Sequence, residues 1–346
     1  MTDAAFKVTL RPSGNVYDVP PGATVLDAGM AAGMAMPYNC RAGSCGTCRA
    51  LVLKGEVDYG NVHAAYLTEK DKQRGFALLC RAKPLGDLEI EVAELDLAQV
   101  APRVIPCRVK RIRRVRQDVA IVDLRLPMNE NLLFAPGQHV DVMLPDGQAR
   151  SYSIASEPAA EGVIALELHV RHSPGGLFTD RVFSTLKEGE LLRVRGPLGT
   201  FYLREKSTKP VVLVATGTGI SPFLSMLRYA AMKKIDRPMR LYWGGRRHED
   251  FYAEDLMRGF EQQLPLTYVP VLSRARREDG WTGATGYVQH AVLRDLPDLS
   301  GHQVYACGSP AMVAAAARDF ISDARLPENE FFGDAFLSAA DVASAA

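Results

Sequence analysis

The sequence predicts a multidomain chain with three successive textures: a β-grasp module, an antiparallel β-barrel, and an α/β doubly wound parallel sheet. Three observations predict it. Three of the six cysteines fall within nine residues of a glycine-rich loop, "YNCRAGSCGTCRA" (38–50). Many short strands separated by the turn signals "APGQ", "LPDGQ" and "SPGG" follow, as in a barrel. From about residue 209, apolar strands alternate with helices, the pattern of a parallel sheet with crossovers.

Composition sets the outer limits. A chain of 346 residues is long enough for two or three domains, and 41 basic against 40 acidic residues leave no global field to attract nucleic acid. No apolar run approaches the roughly 18 residues of a membrane span, and "MTDAAFKVTLRP" lacks the regions of a signal peptide. The expectation is a cytoplasmic protein, away from membranes and nucleic acids. In that compartment clustered thiols hold metal more often than they form disulfides.

The first module extends over 1–96. "FKVTL" (6–10) and "VYDVP" (16–20) alternate as paired strands around the turn "PSGN". Thr24 can cap the short helix "VLDAGMAAG", which ends at Gly33, and "ALVLKGEVD" and "DLEIEV" supply later strands. The cysteines read C-x4-C-x2-C-x31-C at Cys40, Cys45, Cys48 and Cys80. Zinc sites pair C-x2-C with a second such pair or with spaced histidines, and neither is present. The spacing is instead the plant-type [2Fe–2S] pattern. Gly43 and Gly46 let the backbone wrap the cluster, and Arg41 and Arg49 can offset its negative charge. Cys107, in the apparent strand "IPCRVKRI", reads as a small buried apolar residue.

A linker over 97–104 leads into the barrel, 105–207, with strand candidates "VAIVDLRL", "HVDVML", "VIALELHV" and "LLRVRGP". Its basic excess comes from "RVKRIRRVRQ" (108–117), where Val109, Ile112 and Val115 can point inward while the cations face out. That face is either solvated or a docking surface, for an acidic partner or for the cysteine-bearing first module. In "RSYSIAS" (150–156), Arg150 can neutralise a phosphate, Tyr152 can flank a flavin ring, and Ser153 can reach the ring's edge. In "ELHVRHSPGGLFTDRV" (167–182), Gly175, Gly176 and Thr179 place backbone N–H groups and a hydroxyl at a helix N-terminus, where a pyrophosphate binds.

The last segment, 208–337, opens with "VVLVATGTGISPFLSML" (211–227): a strand, the loop Thr216–Gly217–Thr218–Gly219, Ser221 as cap and Pro222 at the first helical position. Backbone amides of such a loop meet a pyrophosphate, although the G-x-G-x-x-G fingerprint is absent. "VYACGSPAMV" (304–313) repeats the strand–loop–helix arrangement. Cys307 there reads either as core or as a neighbour of the nicotinamide. In "NEFFGDAF" (329–336), Phe336 offers a ring to lie against a flavin, or simply packs the terminus. The tail 338–346 is expected to be disordered.

These motifs, in this order, resemble the ferredoxin–NAD(P)H reductase superfamily with an N-terminal plant-type ferredoxin, over residues 4 to 337. The resemblance implies a six-stranded antiparallel barrel holding FAD and a nucleotide domain holding NADH or NADPH. It implies cluster ligation by Cys40, Cys45, Cys48 and Cys80. FAD would be held by Arg150, Tyr152, Ser153, Gly175, Gly176 and Thr179, with His169, Val170 and Arg171 on its adenine or phosphate side. The dinucleotide would meet Thr216, Gly217, Thr218, Gly219 and Pro222, and its nicotinamide Cys307, Gly308, Ser309 and Pro310. Ser153, Cys307 and Phe336 would surround the hydride transfer. "LSRARRE" (272–278) offers Ser273 and Arg274 to a 2′-phosphate, although relatives of this kind mostly use NADH.

The implied activity is conversion of a hydride into single electrons that leave through the cluster. Two groups share the domain order: reductase components serving Rieske or diiron oxygenases, the first reading here, and CDP-6-deoxy-Δ3,4-glucoseen reductase, which serves a pyridoxamine-phosphate-dependent dehydrase. "WTGATGYVQHAVLRDLPDLS" and "FFGDAF" are similar to the latter. A freestanding flavin or ferric reductase and a redox-sensing carrier are the remaining alternatives. A monomer is expected.

Overall fold

The computed structural model describes residues 5–64, 66–92, 94–95, 101–276, 278 and 280–336; the tail 338–346 and the first half of the expected linker, 97–100, lie outside them. The chain divides into two units, 1–99 with 333–346, and 100–332.

In the first unit, β1 (Phe6–Arg11) and β2 (Val16–Val19) form the expected hairpin, followed by α1 (Val25–Ala31). Thr24 caps α1 by accepting the Asp27 N–H at 3.1 Å, a bond worth about 1 kcal/mol. Then come β3 (Arg49–Lys54), β4 (Val57–Asp58), α2 (Glu69–Gln73), β5 (Phe76–Leu78), β6 (Lys83–Pro84) and β7 (Leu88–Glu91). The main sheet runs β2-β1-β7-β3-β5, with β1 and β7 parallel, which is the β-grasp arrangement. Alternation puts Val8, Leu10, Val19 and Ile90 on its inner face, where Val25 and Leu26 of α1 complete the core.

The second unit opens with the barrel: β8 (Arg103–Arg114), β9 (Val119–Arg125), β10 (His139–Met143), β11 (Ala149–Ser153), β12 (Ala165–Arg171), α3 (Leu177–Ser184) and β13 (Leu191–Leu198). Strand order is β11-β10-β13-β8-β9-β12, every pair antiparallel, and a bridge between Ile154 and Leu168 brings the ends together. β8 begins at Arg103, inside the expected linker, because Arg103 and Val104 already pair with Gly196 and Arg195 of β13. Along β8, Ile105, Cys107 and Val109 point inward, and burial pushes the Cys107 thiol up to about 12. The basic run is only partly a solvated face. Arg113 pairs with Asp123 and Glu167, each at 3.3 Å, and Arg116 with Asp118 and Asp250.

The nucleotide-type sheet follows: β14 (Val211–Thr216), α4 (Ser221–Lys233), β15 (Met239–Gly245), α5 (Glu254–Glu261), β16 (Leu266–Leu272), β17 (Ala284–Thr285), α6 (Val288–Asp295), β18 (Gln303–Gly308), α7 (Pro310–Asp323) and β19 (Phe331–Ala335). Its order is β17-β16-β15-β14-β18-β19. The chain steps outward from β14 through β15 and β16, then returns to lay β18 along the other side of β14. That reversal opens a crevice at the carboxyl ends of β14 and β18, where open α/β sheets take their ligands. Ser221 is not the cap of α4. A 3-10 turn over Gly217–Ile220 precedes it, so Ser221 is already helical and its hydroxyl donates to the Thr218 carbonyl at 2.8 Å. Among the described residues no helix is long and apolar enough to cross a membrane.

Candidate functional site

The cysteine loop turns through the left-handed region at Arg41, Gly43 and Gly46 (φ 54°, 76° and 76°), curling its amides toward the thiols. The Ala42 N–H donates to Cys40 Sγ at 3.4 Å, and Cys45 Sγ lies 3.3 Å from Thr47 Oγ1. The four cysteines form two couples. Cys45 donates to Cys40 and lowers it to about 6, and Cys48 likewise lowers Cys80; the two donors, buried as well, are pushed up. Arg41 and Arg49, expected to offset cluster charge, instead pair with Asp27 and Asp71 at 2.5 and 2.8 Å. Arg81 is the cation that lowers a thiol of the set, Cys80.

A mononuclear zinc site needs four ligands around one point, whereas a two-iron cluster needs two thiolates at each end. The two cysteine couples, with amide donors aimed at sulfur, fit the [2Fe–2S] group.

On the barrel, Arg150 donates to Ala149 O and Gln148 Oε1, both at 2.9 Å, so its charge is spent on neutral acceptors and remains available to an anion. Tyr152 is half-buried, its ring 5.3 Å from Phe178 of α3, and Ser153 is buried opposite His139. Gly176 stands at the N-cap of α3 with no side-chain cap, leaving the first turn's amides free of one. The Gly175 N–H is taken by Asp180 at 3.0 Å. Thr179 is tied into the turn: its hydroxyl donates to Ser173 O at 2.9 Å and accepts the Ser173 N–H at 3.2 Å.

The strand 167–171 departs further from expectation. Val170 is fully buried in the barrel core, and both nitrogens of the His169 ring are engaged, Nδ1 with the Tyr252 hydroxyl at 2.7 Å and Nε2 with Glu167 at 3.2 Å. Both side chains are therefore turned inward, His169 onto Tyr252 and Glu167 and Val170 into the core. Arg171 is half-exposed, bonded to Asp118 at 3.1 Å, and its Nη1 lies 3.1 Å from where a Cβ on Gly217 would sit. The barrel strand and the nucleotide loop therefore meet.

At the crevice, the loops after β14 and β18 press together backbone to backbone. A Cβ on Gly219 would lie 2.2 Å from the Cys307 carbonyl oxygen, and one on Gly308 2.4 Å from Thr216 Oγ1, so only glycine fits either place. The Ser309 N–H donates to Thr216 Oγ1 at 2.9 Å, and Pro310 opens α7. Thr218 and Pro222 are buried under the loop. The Cys307 side chain is wholly buried, as its core reading requires, directly behind the crevice wall. Ser273 follows β16 and donates to Gly245 O at 3.1 Å, while Arg274 is exposed beside it. Phe336, half-buried, follows β19 and falls in the first unit.

The side chains that join these pieces carried no sequence signal. Glu167 accepts from Arg228 of α4 at 3.0 Å, and Arg228 also donates to the Ala155 carbonyl at 2.5 Å. The Trp243 indole donates to the Gly217 carbonyl at 3.0 Å and packs edge-on against Tyr252 at 5.4 Å. Only the alternation of charge with apolar residues in "ELHV" hinted that Glu167 and His169 share a strand face.

Comparison with known proteins agrees with this architecture. Residues 8–85 match the 2Fe-2S iron-sulfur cluster binding domain, 106–202 the oxidoreductase FAD-binding domain, and 213–318 the oxidoreductase NAD-binding domain. The chain is 40% identical over 334 residues to the CDP-6-deoxy-L-threo-D-glycero-4-hexulose-3-dehydrase reductase of Yersinia pseudotuberculosis, covering 96% of this chain and 99% of that protein. It is 33% identical to the reductase component of the naphthalene 1,2-dioxygenase system of Pseudomonas putida, covering 90% and 92%. The crystal structure of the Amycolatopsis cytochrome P450 reductase GcoB superposes with a TM-score of 0.75 at 34% identity, covering 96% and 99%. Cysteine couples, flavin-type barrel and nucleotide crevice on one chain thus have full-length counterparts, and the protein belongs to the family of FAD- and NAD-binding ferredoxin reductases that carry their own [2Fe–2S] domain.

Proposed function

We propose that the protein takes a hydride from NADH and delivers single electrons to a separate protein acceptor. The carrying observation is that the crevice between β14 and β18 adjoins the flavin-type strand, through Gly217 and Arg171, on a chain that also supplies four paired cysteines. FAD, when bound, accepts an electron pair from the nicotinamide and releases it singly, which a [2Fe–2S] cluster can carry.

The residues divide the work as follows. Arg150 and the first turn of α3, beyond Gly176, hold the flavin's phosphates, Tyr152 flanks its ring system, and Ser153 stands at the ring's edge. The amides of Thr216–Gly219, with Pro222 behind them, hold the dinucleotide. Gly308, Ser309 and Pro310 form the opposite wall, backed by Cys307. Ser273 and Arg274 lie toward the adenosine end. The Ser273 hydroxyl is already held by the Gly245 carbonyl, which supports NADH over NADPH. The domain limits that go with this reading are 1–96, 103–207, with the barrel's start moved to the first residue of β8, and 208–337, in a cytoplasmic monomer.

For the acceptor, identity favours a dehydrase of the kind named in the Yersinia relative, at 40%, over the oxygenase systems, at 30–35%. The oxygenase reading is kept by the GcoB structure, which matches this chain from end to end. Anaerobic mixing of the holoenzyme with NADH is expected to bleach the flavin first and the cluster second. Cys45→Ser is expected to abolish cytochrome c reduction while ferricyanide reduction persists. Reconstitution with a pyridoxamine-phosphate-dependent dehydrase and, separately, with a Rieske oxygenase then decides the acceptor by which one turns over. A wild-type flavin that neither NADH nor NADPH reduces sinks the reading.

A further inference from the structure

One chain of side chains runs through the second unit from the flavin-type strand to the nucleotide loop. Glu167 is its hub. One carboxylate oxygen faces His169 Nε2 at 3.2 Å and Arg228 at 3.0 Å, the other faces Arg113 at 3.3 Å, and its own N–H is held by Ser156 Oγ at 2.7 Å. One arm leads through His169 to the Tyr252 hydroxyl, which neighbours the hydroxyl of Ser221 at the start of α4. Tyr252 also packs against Trp243, whose indole holds the Gly217 carbonyl. The other arm leads through Arg228 of α4 to the Ala155 carbonyl, inside 150–156.

Proton counting makes the Tyr252 arm directional. An ionised carboxylate only accepts, so Nε2 of His169 carries the hydrogen toward Glu167. In the neutral ring Nδ1 must then accept, and the Tyr252 hydroxyl donates to it. No atom of this arm can be exchanged for an apolar one without leaving a buried partner unsatisfied, at about 1–3 kcal/mol. Both arms end on segments placed at the reaction: 150–156 and 167–171 on the flavin side, 216–222 on the nicotinamide side.

We propose that Tyr252 and Glu167 are positioning residues for hydride transfer, locking the flavin-binding strand to the nucleotide loop so that the two rings meet at a fixed separation. This rests on the hydride-transfer reading above. Neither residue touches a cofactor in this account; both act through His169, Arg228 and Trp243. The reaction is sensitive to such placement, since about 1 Å of misplacement costs on the order of a hundredfold in rate.

The test uses the full-length holoenzyme and Tyr252→Phe, which removes one oxygen and keeps the ring packed on Trp243. Two quantities are read: the rate constant of flavin reduction at saturating NADH, by anaerobic stopped flow, and amide hydrogen–deuterium exchange in 150–156 and 216–222. The expected result is a flavin-reduction rate lower by roughly tenfold or more, with NADH affinity within twofold, and faster exchange in both segments together. Faster exchange with an unchanged rate makes Tyr252 merely structural and overturns the proposal. A slower rate with unchanged exchange in both segments assigns it a direct role and equally overturns it. If Tyr252→Phe fails to fold, Arg228→Lys on the other arm must give the same paired response, or the proposal falls. Absence of wild-type flavin reduction removes the functional reading along with this one, whereas a wild-type reaction that Tyr252→Phe leaves intact removes this one alone.

Discussion

Replacing Glu167 by glutamine removes a charge whose value to the fold can be read from its surroundings. Burial alone would raise this carboxyl above its ordinary 4.5, but the His169 hydrogen bond and the Arg228 guanidinium outweigh it and hold the group at about 2. The native state therefore takes up the proton less readily than the unfolded chain. At ~1.4 kcal/mol per decade, the span from 4.5 to about 2 corresponds to about 3 kcal/mol. With the side chain only 19% exposed, little of that is screened. The contribution is intact from neutral pH down to about 4.5, falls to about 2 kcal/mol at pH 3.5, and vanishes below about pH 2. Urea unfolding followed by tryptophan fluorescence reports on the right unit, because both tryptophans, Trp243 and Trp281, lie in residues 100–332. Other carboxylates titrate alike in both proteins and cancel in the difference. Glu167→Gln is expected to be less stable than wild type at pH 7, with a gap that narrows by about 1 kcal/mol by pH 3.5. A gap of the same size at both pH values would refute the electrostatic account.

Gly219→Ala sets a methyl group 2.2 Å from a backbone oxygen that cannot rotate away, so the two nucleotide loops must part. NAD+ affinity is expected to fall at least about tenfold, by equilibrium dialysis, while FAD content stays at the wild-type level. Cys107, buried and raised to about 12, should escape alkylation by iodoacetamide at pH 8 in the folded holoenzyme, as read by peptide mass spectrometry. Arg274→Ala should lower kcat/KM for NADPH by about tenfold and for NADH by less than about threefold, since only a 2′-phosphate gives that guanidinium an anion. Equal losses for both donors would move Arg274 out of the adenosine end.

What the sequence disclosed was what local spacing can carry. Four cysteines whose intervals match a cluster, a threonine three residues before an aspartate amide, and glycines after an apolar strand are each readable within a short window. The β-grasp, the barrel and the parallel sheet follow from the same kind of pattern. Contacts between residues distant in sequence were not readable. The family resemblance implies His169 on the flavin nucleotide, but its partner Tyr252 lies 83 residues away and holds the ring inward. Arg116 was one more cation in a basic strand until Asp250, 134 residues on, claimed it. Ser221 has the chemistry of a cap, yet the close approach of Gly219 to Cys307 tightens the preceding residues into a 3-10 turn and draws the serine into the helix. Arg41 and Arg49 are close to the thiols in sequence, but the structure pairs them with carboxylates, Asp27 and Asp71.

The contact between the loops after β14 and β18 has a bearing on engineering. Because Gly219 meets the Cys307 carbonyl, and Gly308 meets the Thr216 carbonyl as well as its hydroxyl, the width of the slot between these loops is set chiefly by peptide geometry and little by side chains that selection or a designer can vary by degrees. Ser273 and Arg274, proposed above for donor recognition, sit on a different strand end, beyond β16. The two can therefore be altered separately: cofactor preference is open to gradual tuning, while the slot changes only in jumps.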